Sequence, residues 1–289
     1  MWLTYILTSA VVLSFFDLSR KASIRDNPIW QVLMWSNFAG ALFMTALAYF
    51  TGTLHGALAV SVHDWALILV KSCLVTIEWS CTFYALRALP ISSCLPVHAS
   101  SPLWTLLAAI VVFREIPTLR QAAGMLVIFT GYYIFAVAGK AEGVNIFKTK
   151  GIAFCFTGVF FGAMSAVYDK YLLQTCAINR SVMQFWFSID MFVLAAIIAT
   201  ALRLSPLPKR KLSWRWTIPC IGVFLVISDW FYFAAVAEPG AMISVTALLR
   251  RLNVAVSFII GVWLFHEHHV RAKAYALIAI LAGAVLLLL

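Results

Sequence analysis

The stretch LVKSCLVTIEWSCTFYALRALP, residues 69–90, reads as a membrane helix. It is apolar for turn after turn, as a helix surrounded by lipid must be. Glu78 nevertheless stands in its middle, followed at once by Trp79. A carboxylate at mid-bilayer costs about 2.5–3.5 kcal/mol even on insertion scales. Such a residue marks a membrane protein with something to do inside the membrane.

The rest of the chain agrees. It has 289 residues, of which 63% are hydrophobic and 11% charged, whereas soluble domains carry about 25% charged residues. A helix needs about 20 apolar residues to span the hydrocarbon core. Ten such runs are predicted, near 3–21, 29–50, 65–88, 91–113, 119–138, 151–172, 181–202, 215–237, 241–265 and 271–289. The runs do not alternate polar and apolar residues as barrel strands do. The expected fold class is therefore all-α and polytopic. The first run has no basic leader and no small-residue cleavage site, so it reads as an uncleaved helix. The net charge of +10 comes mostly from loops, as in PLPKRKLSWR at 206–215. It reads as a membrane-orientation signal and not as a nucleic-acid surface. The six cysteines contain no C-x-x-C pair and read as small apolar fillers. FHEHH at 265–269 lacks the i, i+4 histidine pair of a zinc helix. No metal or other cofactor is expected.

The chain repeats itself. TIEWS at 76–80 lies over VISDWF at 226–231, placing Glu78-Trp79 over Asp229-Trp230 at a spacing of 151. Glu115 lies over Glu267 at 152, MWSNF at 34–38 over MQFWF at 183–187 at 149, and Lys21 over Lys170 at 149. Two five-helix halves follow, 1–139 and 150–289, with a polar joint at 140–149. An odd number of spans per half sends the second half through the membrane in the opposite sense. Inverted repeats of this kind are a mark of secondary transporters, whose substrate site lies near the midplane.

At this point the sequence resembles the drug/metabolite transporter superfamily in its ten-helix, EamA-type branch. The resemblance rests on FYALRALPISSCLPVHASSPLWTLLAAIVVFREIPTLRQAAGMLVIFTGYYIF at 83–135. This holds an A-L-R-x-L-P turn, a Ser-Pro in the fourth span, an Arg-Glu at its end and a Gly-bearing fifth span. The second half repeats the pattern more loosely from Ala234 onward. Two departures stand out: Leu13-Ser14 where relatives often carry Trp-Gly, and Arg250-Arg251 where they usually carry small or apolar residues. The resemblance implies a transporter of metabolites, in a bacterial inner (plasma) membrane. Among family cargoes it does not choose.

Depth selects the candidate site residues. At about 1.5 Å per residue, Glu78, Asp229, Arg250, Arg251, Asp190 and His98 all fall well inside their spans. Such residues face a bundle interior or a wet cavity. Trp79, Trp230, Trp35 and Trp104 also lie inside spans, where an indole face can receive an ammonium. The competing reading for Asp190 is a helix-locking ion pair with Arg250 or Arg251. Lys71, Lys170, Lys21 and Asp17 lie nearer span ends and read as snorkelling groups. Arg87 reads as an interfacial anchor, and Pro96, Pro102, Pro219 and Pro239 as breaks or ends of helices.

Together these residues describe a cavity of both signs with aromatic walls. That suits a small amphipathic or zwitterionic, amino-acid-like metabolite, exported by alternating access. The alternatives are a phosphate-bearing cargo (a sugar phosphate or a lipid head group) and an organic cation or drug. The expected partners are the small-molecule substrate, the lipid bilayer and protons carried by the intramembrane carboxylates, in a monomer or loose dimer. An enzyme would need a nucleophile or metal with a base in reach, and His98 with its neighbouring serines supplies no more than a fragment of one. Loops after odd-numbered spans hold fourteen Lys and Arg, against four (Arg114, Arg120, Lys170, Arg180) after even ones. That bias places both termini outside, whereas the family resemblance places them in the cytoplasm.

Overall fold

A computed structural model of the chain describes residues 1–24, 27–88, 97–98, 100–137, 150–205, 211–253, 255–257, 260 and 270–288. The joint at 140–149, the FHEHH cluster with Glu267, Pro96, Cys94 and the side chains of Lys21 and Arg87 lie outside the described residues. The described chain is helical: α1 (Trp2–Ile24), α2 (Ile29–Phe50), the short α3 (Leu54–Leu58), α4 (Val62–Ala88), α5 (Ser101–Phe113), α6 (Leu119–Val137), α7 (Lys150–Lys170), α8 (Arg180–Leu204), α9 (Thr217–Ala237), α10 (Ile243–Arg250) and α11 (Val270–Leu288). α7 continues into a π turn, Tyr171–Thr175. Among the described residues six helices are long and apolar enough to cross a bilayer: α1, α2, α4, α7 with its π turn, α8 and α9. Large apolar side chains are left on the outside, including Leu126 (67% exposed) and Ile197 (59%). Water would penalise that surface, whereas lipid does not, and the chain is an integral membrane protein.

Packing divides the chain into two compact units that cut across the halves read from sequence. The first holds 1–76 and 169–241, the second 77–168 and 242–289. α4 passes from one to the other after Thr76, and α7 after Tyr168.

In the first unit α1 packs on α9, while α2 packs on both α8 and α9. Small residues set the α2–α9 approach. A Cβ on Gly222 would run into the Ser36 carbonyl, and one on Gly40 would lie 3.1 Å from the Gly222 carbonyl oxygen. Close approach then lets polar groups join neighbouring helices, which matters where no water competes. Gln184 Nε2 donates to the Val226 carbonyl at 2.6 Å, and Ser9 and Ser228 hydroxyls pair at 3.0 Å. The apolar core includes Met44, Ala48, Phe185 and Val226, with a second cluster of Phe16, Val32, Ile218 and Ile221. Pro219 sits in the first turn of α9, where a missing N–H breaks no intrahelical bond. Pro102 does the same in α5.

In the second unit α6 packs along α11, and α5 on α10. Arg114 ends α5 in the left-handed region at φ 55°. That turn carries Glu115 back toward the start of α10. Its carboxylate, 7% exposed, accepts from the Ile243 N–H (3.0 Å), the Ser244 N–H (3.4 Å) and the Ser244 hydroxyl (3.0 Å). Negative charge at a helix N-terminus meets both orphan donors and the positive end of the helix dipole. Glu115 is therefore a cap supplied by another helix.

Candidate functional site

The first unit carries a polar seam through its interior. Lys71, on α4, donates its ammonium to Asp169 Oδ1 on α7, with 3% and 4% of the two side chains exposed. The same nitrogen lies 4.4 Å from the ring centre of Phe187 on α8 and 5.0 Å from that of Phe233 on α9. The two rings meet edge to face at 6.3 Å. A carboxylate with two ring faces is an ammonium-binding environment, here filled by the protein's own lysine. The next residue, Ser72, donates to Asp190 Oδ2 at 3.3 Å. Asp190 is 5% exposed and follows Phe187 by three residues, which on a helix puts them on the same face.

A small cavity of about 20 Å³ opens beside this cluster, lined by Phe187, Ser188, Asn37 and Asp229 together with the Gly40–Gly222 crossing. That volume holds about one water. Asp229, 7% exposed, lies four residues before Phe233 on α9, so carboxylate and ring share a face. Lys170, 9% exposed, donates to the Ala241 carbonyl at 2.8 Å. The buried charged residues described in this unit are three carboxylates (Asp169, Asp190, Asp229) and two ammoniums (Lys71, Lys170). Carboxylates thus outnumber ammoniums by one among the described residues of this unit.

These positions correct one expectation. Lys71 and Lys170 do not snorkel; both are buried and both have internal partners. Asp17 does pair near a surface, with Arg20 at 3.1 Å. Asp169 was not singled out in the sequence at all. The signal available was its place beside Lys170 at the end of an apolar run, an acid at a depth like that of Lys71 in its own span.

The sequence-selected residues divide between the units. Asp190, Asp229, Trp230 and Trp35 fall in the first; Glu78, Trp79, His98, Trp104, Arg250 and Arg251 in the second. Trp230 receives the guanidinium of Arg180 at 5.4 Å from its ring centre. Trp35 is 38% exposed and packs edge-on against Phe38 and Trp214. In the second unit Glu78 is half-buried and its carboxylate lies against Gly162 of α7. A Cβ there would sit 2.7 Å from Glu78 Oε1, so glycine makes the room. Trp104 packs edge-on against Phe160 and joins the cluster of Ala85, Val97, Cys155 and Val159. Trp79, His98, Arg250 and Arg251 are half-buried, with Arg250 and Arg251 closing α10 at its C-terminal end. Cations there also face the negative end of that helix.

Residues 1–137 match the EamA-like transporter family. A solved crystal structure is similar to 98% of this chain over 95% of its own length, with a TM-score of 0.75 at 17% identity. At that identity the likeness speaks for the fold alone. No curated protein matches the sequence.

Proposed function

We propose that this chain, whose first 137 residues match the EamA-like transporter family, is a secondary transporter of a small zwitterionic or amphipathic, amino-acid-like metabolite, working by alternating access and exporting its cargo. The observation that carries the reading is the buried seam of Lys71, Asp169, Asp190 and Asp229 with two aromatic rings. Charges in the interior of an apolar bundle are expensive and mark substrate and ion pathways.

The ten-helix, inverted-repeat architecture is part of the proposal. Helices related by the sequence repeat pack against one another: α2 on α8, α5 on α10 and α6 on α11. A pseudo-two-fold axis in the membrane plane brings counterpart helices together in this way. Arg250 and Arg251 are the anion-binding candidates for the cargo's carboxylate, because the guanidinium fork donates two parallel bonds. Glu78 and Asp229 are the proton carriers, and the membrane is the bacterial inner membrane.

The test is uptake of a labelled amino-acid mixture into proteoliposomes holding the purified protein. Accumulation above that of protein-free vesicles is the expected result. Uptake no greater than that of protein-free vesicles for every amino acid would remove the amino-acid-like cargo.

A further inference from the structure

We propose that Asp169, with the faces of Phe187 and Phe233, is the site that receives the ammonium group of the cargo, and that Lys71 is its built-in occupant when cargo is absent. The inference rests on the transporter reading and adds the ligand chemistry of one site to it.

The geometry is that of an alkylammonium complex made within the chain. The Lys71 nitrogen touches the three groups that would recognise a ligand amine: the Asp169 carboxylate and two ring faces at 4.4 and 5.0 Å. A carrier has to reorient with its site empty, and an ionised carboxylate left alone in a dry interior opposes that step. The lysine removes the obstacle by neutralising Asp169 in the empty carrier. Arriving cargo then competes with Lys71 and meets no vacant charge.

Competition requires that the lysine have somewhere to go. Lysine is a flexible four-carbon stem with a compact charge. Asp190 is the next acceptor along the same face of α8, reached already by the neighbouring Ser72 at 3.3 Å. Among the described residues of this unit, buried carboxylates exceed ammoniums by one, so an ionised Asp190 that takes Lys71 leaves Asp169 for one added positive charge. Entry also has a starting point, since Phe187, over whose ring the lysine lies, lines the small cavity together with Asp229. The ligand class is a primary alkylammonium. The ring faces favour it over a strongly hydrated inorganic cation.

Titration calorimetry with butylammonium chloride on the purified full chain tests the proposal, with butanol as the uncharged control. Removing the competitor should tighten binding: Lys71→Gln is expected to bind butylammonium at least tenfold more tightly than the wild-type chain. Asp169→Asn, and the double variant Lys71→Gln/Asp169→Asn, should lose that binding. A lysine that merely held helices together would give no gain on its removal. Lys71→Gln binding no tighter than wild type overturns the proposal, as does a double variant that binds as well as Lys71→Gln. Should Lys71→Gln fail to fold, Lys71→Ala purified in butylammonium replaces it, because the ligand then refills both the volume and the charge. Failure of the amine to restore a folded protein would equally overturn the idea. The readout is binding and not flux, so a chain that moves no amino acid still passes or fails this test independently.

Discussion

The side chains of Lys71 and Asp169, 98 residues apart in sequence, form an ion pair with 3% and 4% of their surfaces exposed. Breaking such a pair from one side leaves the other charge buried. Lys71→Ala should destabilise the protein by about 3–5 kcal/mol, whereas Lys71→Met with Asp169→Leu should cost much less or nothing. Thermal unfolding of the three proteins in one detergent checks it. Equal losses in the single and double variants would mean that packing of the side chains, and not their charge, holds this region.

The α2–α9 crossing depends on Gly222 having no side chain. A methyl group would meet the backbone carbonyl of Ser36, which cannot rotate away. Gly222→Ala should therefore lower stability by about 1–3 kcal/mol or more, the usual range for overpacking. Gly56→Ala, with nothing within 4 Å, should be close to neutral. Comparing their unfolding temperatures tests the crossing. A well-folded Gly222→Ala would show that the helices can separate at little cost.

Glu115 holds the first turn of α10 through three hydrogen bonds. Glu115→Ala leaves two backbone donors unmet and should cost about 1–3 kcal/mol. Glu115→Gln keeps an acceptor and should lose less. Hydrogen exchange at the Ile243 and Ser244 amides is the direct readout: it should quicken in the alanine variant. Unchanged protection would mean that another group caps the helix.

Glu78 and Asp229 occupy matching places in the two sequence halves. As the proposed proton carriers, they should confer sensitivity to a pH gradient on flux. Glu78→Gln and Asp229→Asn should each remove that sensitivity in proteoliposomes. If both variants keep the wild-type response, these acids hold structure and the coupling lies elsewhere.

Sidedness is testable at Lys211, which is exposed in the segment before α9. The loop-charge bias places this segment inside and the termini outside. In a cysteine-free background, Lys211→Cys should resist an impermeant maleimide added to intact cells and react after the membrane is opened. Labelling from outside would reverse the orientation.

Much of the architecture was legible in the chain itself. The apolar runs near 29–50, 181–202 and 215–237 became α2, α8 and α9 with ends within a few residues, because membrane insertion sums hydrophobicity over about 20 consecutive residues. Asp190 and Asp229 were recognisable as interior charges by depth alone. What depth could not supply was partnership. Lys71 and Lys170 looked like snorkelling cations, since a lysine near the end of a run has the reach to leave the membrane. Only the rotation of α4 and α7 about their axes turns Lys71 toward Asp169 and the rings of Phe187 and Phe233. Rotation follows from where small residues let backbones approach, as Gly222 does against Ser36. Glu115 and Ile243 likewise meet only because α5 and α10 pack together. Hydrophobic span is a property of each segment alone, so the sequence determined which described segments are long and apolar enough to cross the membrane, six of the ten runs read from it. The facing of one charge to another depends on close packing between segments far apart in the chain, so it emerges only when those segments fold together.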